Sequence, residues 1–320
     1  MCQKPSYNRK MIPNQPKKHH YIPQFFLKYF SQDKANLWVF DRNDKEYRFL
    51  DTKAIAFENK FYTYTVKGKE ENLETVFSKI EGLAKPILDK IQNKTEISMQ
   101  EKADLSMFLA VLRVRIPDFK KWTEEGGEKM YKKYNAIIFS NREHVEKMIE
   151  KSEKQLKEKE IDELIDFATN ENRYDVKFPS AYWIRTMLRL SLDISDIFID
   201  SNWDIYHFNK KYALLTSDNP VVLVPPKNYD QFWGYGLITP GTVKVISLSS
   251  NTCLVAKELT KNPEIIHKDW NDKNLFRWIN KITAINSDRF VYSPDKGKLE
   301  KLVKETKIDQ FMRKQRIQVS

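Results

Sequence analysis

The sequence predicts an α+β fold in which an N-terminal hairpin and a C-terminal antiparallel meander form one sheet region, covered by a helical middle third. Period-two runs rich in β-branched and aromatic residues lie before residue 67 and after residue 202. Between them, apolar residues recur with the helical period of 3.6. The chain of 320 residues is 41% hydrophobic and 13% aromatic, which is enough to build a sizeable core.

A short helix and three strands are expected near the N-terminus. The segment from Pro23 to Phe30 begins with a proline, which suits a first helical position, and continues with good helix formers. Strands at 36–41 and 46–50 flank a four-residue segment that suits a tight hairpin turn. Residues 61–66 alternate aromatic side chains with threonine, as a third strand would.

The middle of the chain is expected to be helical. From Glu71 to Asn93, apolar residues fall on one helical face. The segment Ser98-Met-Gln-Glu101 has the spacing of a capping box and should start a helix. Pro117 should end or kink that helix. Residues 118–168 are dense in lysine and glutamate at three- and four-residue spacing, which predicts a helical insertion facing solvent. A further helix is predicted from about Ser180 to Ile199.

Strands return in the C-terminal third. The β-rich runs are 203–208, 213–224, 243–248 and 252–257. Turn residues separate these runs, so we expect an antiparallel meander, followed by a helix at about 268–286 and a strand at 289–292. The predicted organisation is a flexible basic N-terminus at 1–16, a single α+β domain at 17–293 and a basic, helical C-terminal tail at 294–320.

The basic charge of the chain is concentrated at its ends. The formal net charge is +11. Residues 1–20 carry five basic and no acidic side chains, and residues 298–320 carry seven basic and three acidic ones, so the body between them is nearly neutral. The ends are therefore candidates for contact with nucleic acid, with solvated, solubilising tails as the alternative.

The sequence predicts a cytoplasmic location without a membrane span. Cys2 and Cys253 are the two cysteines, too few for a disulfide framework or a cysteine-rich zinc site. Neither a secretory signal nor a stretch of about 18 apolar residues is present. The oligomeric state is not predicted by any of these features.

Several reaction classes are excluded by missing motifs. The chain contains no GxxxxGK phosphate loop and no GxGxxG after a strand. It also lacks the HExxH metal-binding motif and the GxSxG nucleophile elbow. Classical nucleotide triphosphatases, dinucleotide-dependent oxidoreductases, zincins and serine hydrolases are therefore ruled out.

Two short motifs resemble one particular family. His19-His-Tyr-Ile-Pro-Gln-Phe25 and Thr216-Ser-Asp-Asn-Pro220 are similar to a bacterial and phage domain of unknown function with an HHYxPQF opening and an SDNP centre. The similarity runs from residue 17 to about 293, although Ser247-Leu-Ser-Ser250 stands where that family tends to show Pro-Leu-Ser-Pro. The resemblance implies a shared site built from these motifs, and such families are associated with nucleases or toxins in phage conflict and defence.

His19 and His20 are the first candidate site residues. Because they are adjacent, their side chains face opposite ways in an extended strand, so one of the two is expected to be functional. A neutral imidazole acts as a general base, a proton donor or a metal ligand. The alternative is a histidine that holds the N-terminal segment in place by hydrogen bonds.

Asp218 and Asn219 are the second pair of candidates. Asn219 precedes Pro220, which favours extended backbone and places the pair at a bend. A carboxylate and a carboxamide at a sheet edge suit a divalent cation, a histidine partner or a substrate phosphate. The alternative is an Asx turn in which the aspartate caps backbone amides.

Glu81 and Arg115 complete the candidate set. Glu74 and Glu81 lie on one helical stripe but about 10.5 Å apart along the axis, so they are too distant to chelate one metal ion together. Arg115 is suited to present its guanidinium to a phosphate, and the alternative is an ion pair with one of these acids. Of the remaining histidines, His144 and His207 are predicted to be structural, and the sequence assigns no role to His267.

These residues lead to one functional hypothesis and one rival. In the first, His19 or His20 shares a cleft with Asp218 and Asn219, with Arg115 and Glu81 near it, and the chain cleaves phosphodiesters in RNA or DNA. A divalent metal is compatible with this site, and no other cofactor is predicted. The rival is a non-catalytic module that binds a ligand or nucleic acid and whose motifs are structural. The catalytic hypothesis requires the imidazole and the carboxylate to meet in one pocket.

Overall fold

The computed structural model describes residues 17–152, 155–209, 211–227, 229 and 235–310. The segment predicted as a flexible N-terminus, 1–16, and the end of the predicted tail, 311–320, lie outside the described residues. The described strands are β1 Lys18–His20, β2 Asn36–Asp41, β3 Glu46–Asp51, β4 Phe57–Asn59, β5 Thr63–Val66, β6 Lys69–Asn72, β7 Ser201–Phe208, β8 Thr216–Ser217, β9 Val221–Val224, β10 Val243–Ser247, β11 Thr252–Leu259, β12 Ile265–Trp270 and β13 Phe290–Ser293. The described helices are α1 Gln24–Lys28, α2 Glu74–Gln92, α3 Met99–Val114, α4 Pro117–Phe139, α5 Arg142–Lys151, α6 Glu158–Thr169, α7 Ser180–Ile199, α8 Lys273–Ile285 and α9 Lys296–Thr306.

The predicted α+β class is confirmed, and the strands divide between two main sheets. A five-stranded sheet has the order β12-β7-β11-β10-β9, in which β12 is parallel to β7 and the other neighbours are antiparallel. The predicted helix from Lys268 begins later, at Lys273, because residues up to Trp270 pair with β7. Asp272 caps that helix by accepting the backbone N–H of Asn274.

The second sheet joins the two ends of the chain. Its order is β3-β2-β13-β8, so the N-terminal hairpin pairs with strands from the C-terminal third. The run 213–224, which looks continuous in sequence, divides at Asp218–Pro220, where the proline has no N–H to donate to a ladder. As a result, β8 belongs to this sheet and β9 to the five-stranded one. Two smaller pairs, β1 with β4 and β5 with β6, complete the strands.

Helices α3 and α4 begin where their sequence signals place them. At the start of α3, Ser98 accepts the N–H of Glu101 and the Glu101 carboxylate accepts the N–H of Ser98, so the capping box is formed. Pro117 is the first residue of α4, where its missing N–H costs nothing. In this way α3 ends at Val114, and Arg115 and Ile116 form a sharp junction between the two helices.

The core lies on both faces of the five-stranded sheet. One face, with Trp203 and Ile205, packs against α3 and α7 through Phe108 and Trp183, all of which are fully buried. The opposite face packs against α8 through Ile279. Across the part of the chain that the structure describes, each helix is too short or too polar to cross a membrane.

The parallel strands β7 and β12 place two histidine rings against each other. His207 Nε2 lies 2.9 Å from His267 Nδ1, and the two ring planes are nearly parallel, with an interplanar angle of 9°. This contact needs one donor and one acceptor, so it is lost when both rings are protonated. Burial, the other ring and Lys94 lower the pKa of His207 to about 4, and burial and Lys94 also lower the pKa of His267.

We therefore expect the fold to lose stability in acid through this pair. A histidine with a depressed folded pKa contributes stability that is fully present above its unfolded pKa near 6.5 and is lost as the pH falls below that value. The free energy of unfolding, measured with urea, should fall between pH 7 and pH 4. This fall, which is the slope to compare, should be about 2 kcal/mol smaller in His207→Gln than in the parent. Exposed His144→Gln is the control and should keep the parent slope. An unchanged slope in His207→Gln would contradict the assignment.

Candidate functional site

His19 is the buried member of the histidine pair. Its side chain is 1% exposed, and its Nδ1 accepts the backbone N–H of Tyr62 at 2.9 Å. Its ring also stacks on the Tyr62 ring, with centroids 5.6 Å apart and planes 6° from parallel. That nitrogen is therefore occupied by the main chain, and His19 fixes the loop after β4 against β1.

His20 faces the other way and is half-buried. Its ring lies against Phe57 at a centroid distance of 5.6 Å, and the Gln24 Nε2 atom lies 3.4 and 3.5 Å from the two ring nitrogens. The two histidines therefore follow the alternation of a strand: the His19 imidazole lies in the core, and the His20 imidazole lies at the surface.

The surroundings of His20 favour its neutral form. Burial lowers its pKa below the usual value, and the positive charges of Arg115 and Lys18 lower it further. A hydrogen bond with the Lys53 backbone and the carboxylate of Glu81 act in the opposite direction. At neutral pH the ring is therefore uncharged and able to accept a proton.

Arg115 is held rigidly at the α3–α4 junction. It is 1% exposed, its Nε donates to the Tyr21 carbonyl at 3.0 Å, and its Nη1 donates to Glu81 Oε1 at 2.9 Å. The guanidinium carbon lies 5.2 Å above the Phe77 ring, and the Arg115 carbonyl accepts the hydroxyl of Tyr62 at 2.9 Å. Its Nη2 atom is buried and has no hydrogen-bond partner among the described residues.

Glu74 and Glu81 stand one above the other on α2, as their spacing predicts. Of the two, Glu81 forms the ion pair with Arg115. Burial raises the pKa of Glu74, Arg115 lowers it and the negative charge of Glu81 raises it. Both carboxylates therefore interact with one cation, Arg115. We term Arg115, Glu81 and His20 the His20 cluster, and Glu74 and Gln24 lie at its edge.

Asp218 is fully enclosed by backbone amides. Its Oδ1 accepts the N–H of Asp288 at 2.8 Å, and its Oδ2 accepts those of Arg289 at 2.6 Å and Phe290 at 2.8 Å. Burial and the charge of Asp288 raise the pKa of Asp218 to about 7, while the three amides favour the ionised form. The carboxylate thus caps a segment about seventy residues further along the chain, and not its own turn.

Asn219 is buried and likewise engaged. Its Oδ1 accepts Arg113 Nη1 at 3.1 Å, and its Nδ2 donates to the carbonyl of Asn286 at 3.0 Å. Its backbone N–H donates to the Ser217 hydroxyl at 3.2 Å. The C-terminal end of α3 and the junction after it therefore supply one arginine to each motif, Arg113 to Asn219 and Arg115 to the backbone of Tyr21.

Tyr21 connects the two motifs. It is 4% exposed, and its carbonyl accepts a hydrogen bond from Arg115. Burial raises the pKa of its phenol, and the nearby charge of Asp218 raises that pKa further. The HHY and SDNP segments thus come together through a buried tyrosine. The pocket required for the first hypothesis, with an imidazole and the Asp218 carboxylate facing one ligand, is not formed by these contacts.

Sequence reasoning did not select all of the residues that contact His19, His20 and Asn219. Tyr62 contacts His19, Gln24 contacts His20 and Arg113 contacts Asn219, and none of the three was a candidate. Two signals were available: Gln24 lies four residues after His20, and Arg113 lies two before Arg115 in an otherwise apolar helix end. The contacts of Tyr62 could not be inferred from its neighbours in sequence, because they reach 43 residues back and 53 residues forward along the chain.

No metal centre is evident in the described residues. Within the described ranges, no three histidine, cysteine, aspartate or glutamate side chains are grouped closely enough to hold a metal ion. We therefore assign no residue as a metal ligand.

The geometry defines an α+β domain whose two motifs are joined at one buried junction beside a half-exposed histidine. A family profile described as protein of unknown function (DUF4238) matches residues 18–297, a range that includes both motifs. The chain belongs to this family. Neither a curated protein nor a solved structure is significantly similar to it.

Proposed function

We propose that the chain cleaves phosphodiester bonds in RNA or DNA by acid–base chemistry at His20. The observation that carries the proposal is a half-exposed imidazole beside the partly buried Arg115–Glu81 ion pair, and burial lowers the pKa of this imidazole, which favours its neutral form. Histidines of this kind are suited to accept a proton from an attacking hydroxyl.

The charges around His20 support an anionic substrate. Lys18 and Arg115 are both close enough to lower the His20 pKa, so a phosphate beside the ring would be near two positive charges. Glu81 is expected to orient Arg115, because it accepts one of its N–H groups. In this scheme His20 takes the proton as a P–O bond forms and returns it to the leaving oxygen as the other P–O bond breaks.

Replacing His20 should separate chemistry from stability. We expect His20→Gln to lower cleavage of single-stranded or duplex RNA or DNA by about 100-fold or more, with an almost unchanged melting temperature. In the parent, the cleavage rate should rise with pH through a pKa below 6.5 and stay level above it, because the base must be neutral. Assays with EDTA and with added Mg²⁺ or Mn²⁺ measure any metal requirement.

His144→Gln is the matched control, since that histidine is exposed and lies on α5. It should cleave like the parent. The proposal fails if the parent shows no turnover on any of these nucleic acids, or if His20→Gln cleaves at the parent rate.

A non-catalytic ligand-binding module is the second candidate. The observation in its favour is that the side chains of His19 and Asp218 accept hydrogen bonds from backbone amides, which is a structural role. Under this alternative, His20→Gln changes the affinity for an oligonucleotide, measured by fluorescence anisotropy, while neither the parent nor the variant turns it over.

A further inference from the structure

The outer face of α7 carries charges in a particular order. Its inner face is buried in the core through Trp183, Met187 and Phe198. On the outer face, Arg185 and Arg189 are exposed in the N-terminal half, and two aspartates are exposed in the C-terminal half. These outer residues are Arg185, Arg189, Leu192, Asp193 and Asp196.

The spacing of these residues forms a stripe along the helix. Arg185, Arg189, Leu192 and Asp196 follow each other at intervals of four, three and four residues, so they lie on one side of α7. Leu192 is 59% exposed at the middle of the stripe. The stripe therefore has a basic half, an apolar centre and an acidic half.

No described residue forms an ion pair with the charges of the stripe, which are Arg185, Arg189, Asp193 and Asp196. By contrast, Arg142 and Glu146 pair with each other along the surface of α5. Two arginines four residues apart repel each other modestly in an isolated helix. Opposite charges brought by another molecule would relieve this repulsion.

A second copy of the same helix, running antiparallel, brings those charges. With a two-fold axis level with residue 191, Arg189 lies level with Asp193 of the second copy, and Arg185 lies about 1.5 Å along the helix from the level of its Asp196. The same axis leaves Leu192 and its symmetry mate about 3 Å apart along the helix. Both ion pairs and the leucine contact are therefore within side-chain reach in one register, and the symmetry repeats each ion pair, as a two-fold interface requires.

We propose that the outer face of α7 is a homodimer interface in which two copies pack their α7 helices antiparallel. This inference does not depend on the His20 cluster. A helix of this length offers less contact area than most stable dimers bury, and exposed ion pairs each contribute about 1 kcal/mol or less. The dimer is therefore weak and is favoured by low ionic strength.

Charge reversal tests the register. Sedimentation velocity at low ionic strength should show self-association of the parent. Arg185→Glu with Arg189→Glu makes the stripe wholly acidic, and Asp193→Lys with Asp196→Lys makes it wholly basic. Each double variant should weaken self-association about tenfold or more, and an equimolar mixture of the two should restore it as a heterodimer.

Lys79→Glu with Lys281→Glu is the matched control, because it changes the net charge equally at two exposed lysines on α2 and α8 that form no ion pair with the described residues. It should associate like the parent. Circular dichroism checks each fold, and where a reversed variant melts early, Arg189→Gln and Asp193→Asn replace it, with a several-fold weaker association expected. A monomeric parent, or a mixture that does not associate, overturns the proposal.

Discussion

Asp218→Ala is expected to lower the free energy of unfolding by about 3–4 kcal/mol. The substitution leaves the backbone amides of Asp288, Arg289 and Phe290 without an acceptor in a site that is 4% exposed. Each buried donor without a partner costs about 1–3 kcal/mol. The cost arises in the four-stranded sheet, because Phe290 is the first residue of β13.

Urea denaturation of the parent, Asp218→Ala and Asp218→Asn measures this effect. The asparagine variant keeps one acceptor oxygen in the same shape and should lose about half as much stability. Exposed Asp175→Ala is the control and should stay within about 0.5 kcal/mol of the parent. If Asp218→Ala unfolds like the parent while losing an activity, the carboxylate acts on a ligand, and its capping role is wrong.

Arg115→Met is expected to cost about 2–4 kcal/mol, since it breaks a partly buried ion pair and leaves the buried Tyr21 carbonyl without its donor. The variant removes the donor to the Tyr21 carbonyl and the partner of Glu81, and it leaves Glu74 beside a second uncompensated carboxylate. Methionine fills much of the arginine volume, so the cost comes mainly from the lost charge and hydrogen bonds.

The double variant Arg115→Met with Glu81→Gln is the decisive comparison. Removing the carboxylate charge should recover part of the lost stability, so the double variant should be more stable than Arg115→Met alone. Exposed Arg277→Met on α8 serves as the control for loss of an arginine elsewhere. Equal stability of the single and double variants would show that the Glu81 charge plays no part.

The local elements were predictable because their signals are local. The capping box at Ser98 and Glu101, the start of α4 at Pro117 and the stripe of α2 each depend on residues within a few turns of one another. The same is true of the opposite directions of His19 and His20, which follow from the alternation of a strand.

The roles of the motif residues were not predictable from such signals. Asp218 bonds to amides seventy or more residues away, and Arg115 to a carbonyl ninety-four residues away, so no periodicity reports these partners. The run 213–224 shows one β pattern, and its division between two sheets depends on which strands lie beside it. Two alternatives weighed from chemistry alone describe contacts that the structure contains: a histidine bonded to backbone, as His19 is, and an internal ion pair of Arg115. Asp218 also caps backbone amides, but those of a distant segment and not of its own turn.

The short link between β8 and β9 has a mechanical consequence. Asp218, Asn219 and Pro220 are all that separate a strand of one main sheet from a strand of the other, and the first two are bonded to the segments before β13 and to α3. Because the link is short and bonded at both ends, we expect the two sheets to unfold together. Native-state hydrogen exchange should therefore find the amides of β9 and β13 protected to a similar degree and released in one cooperative event.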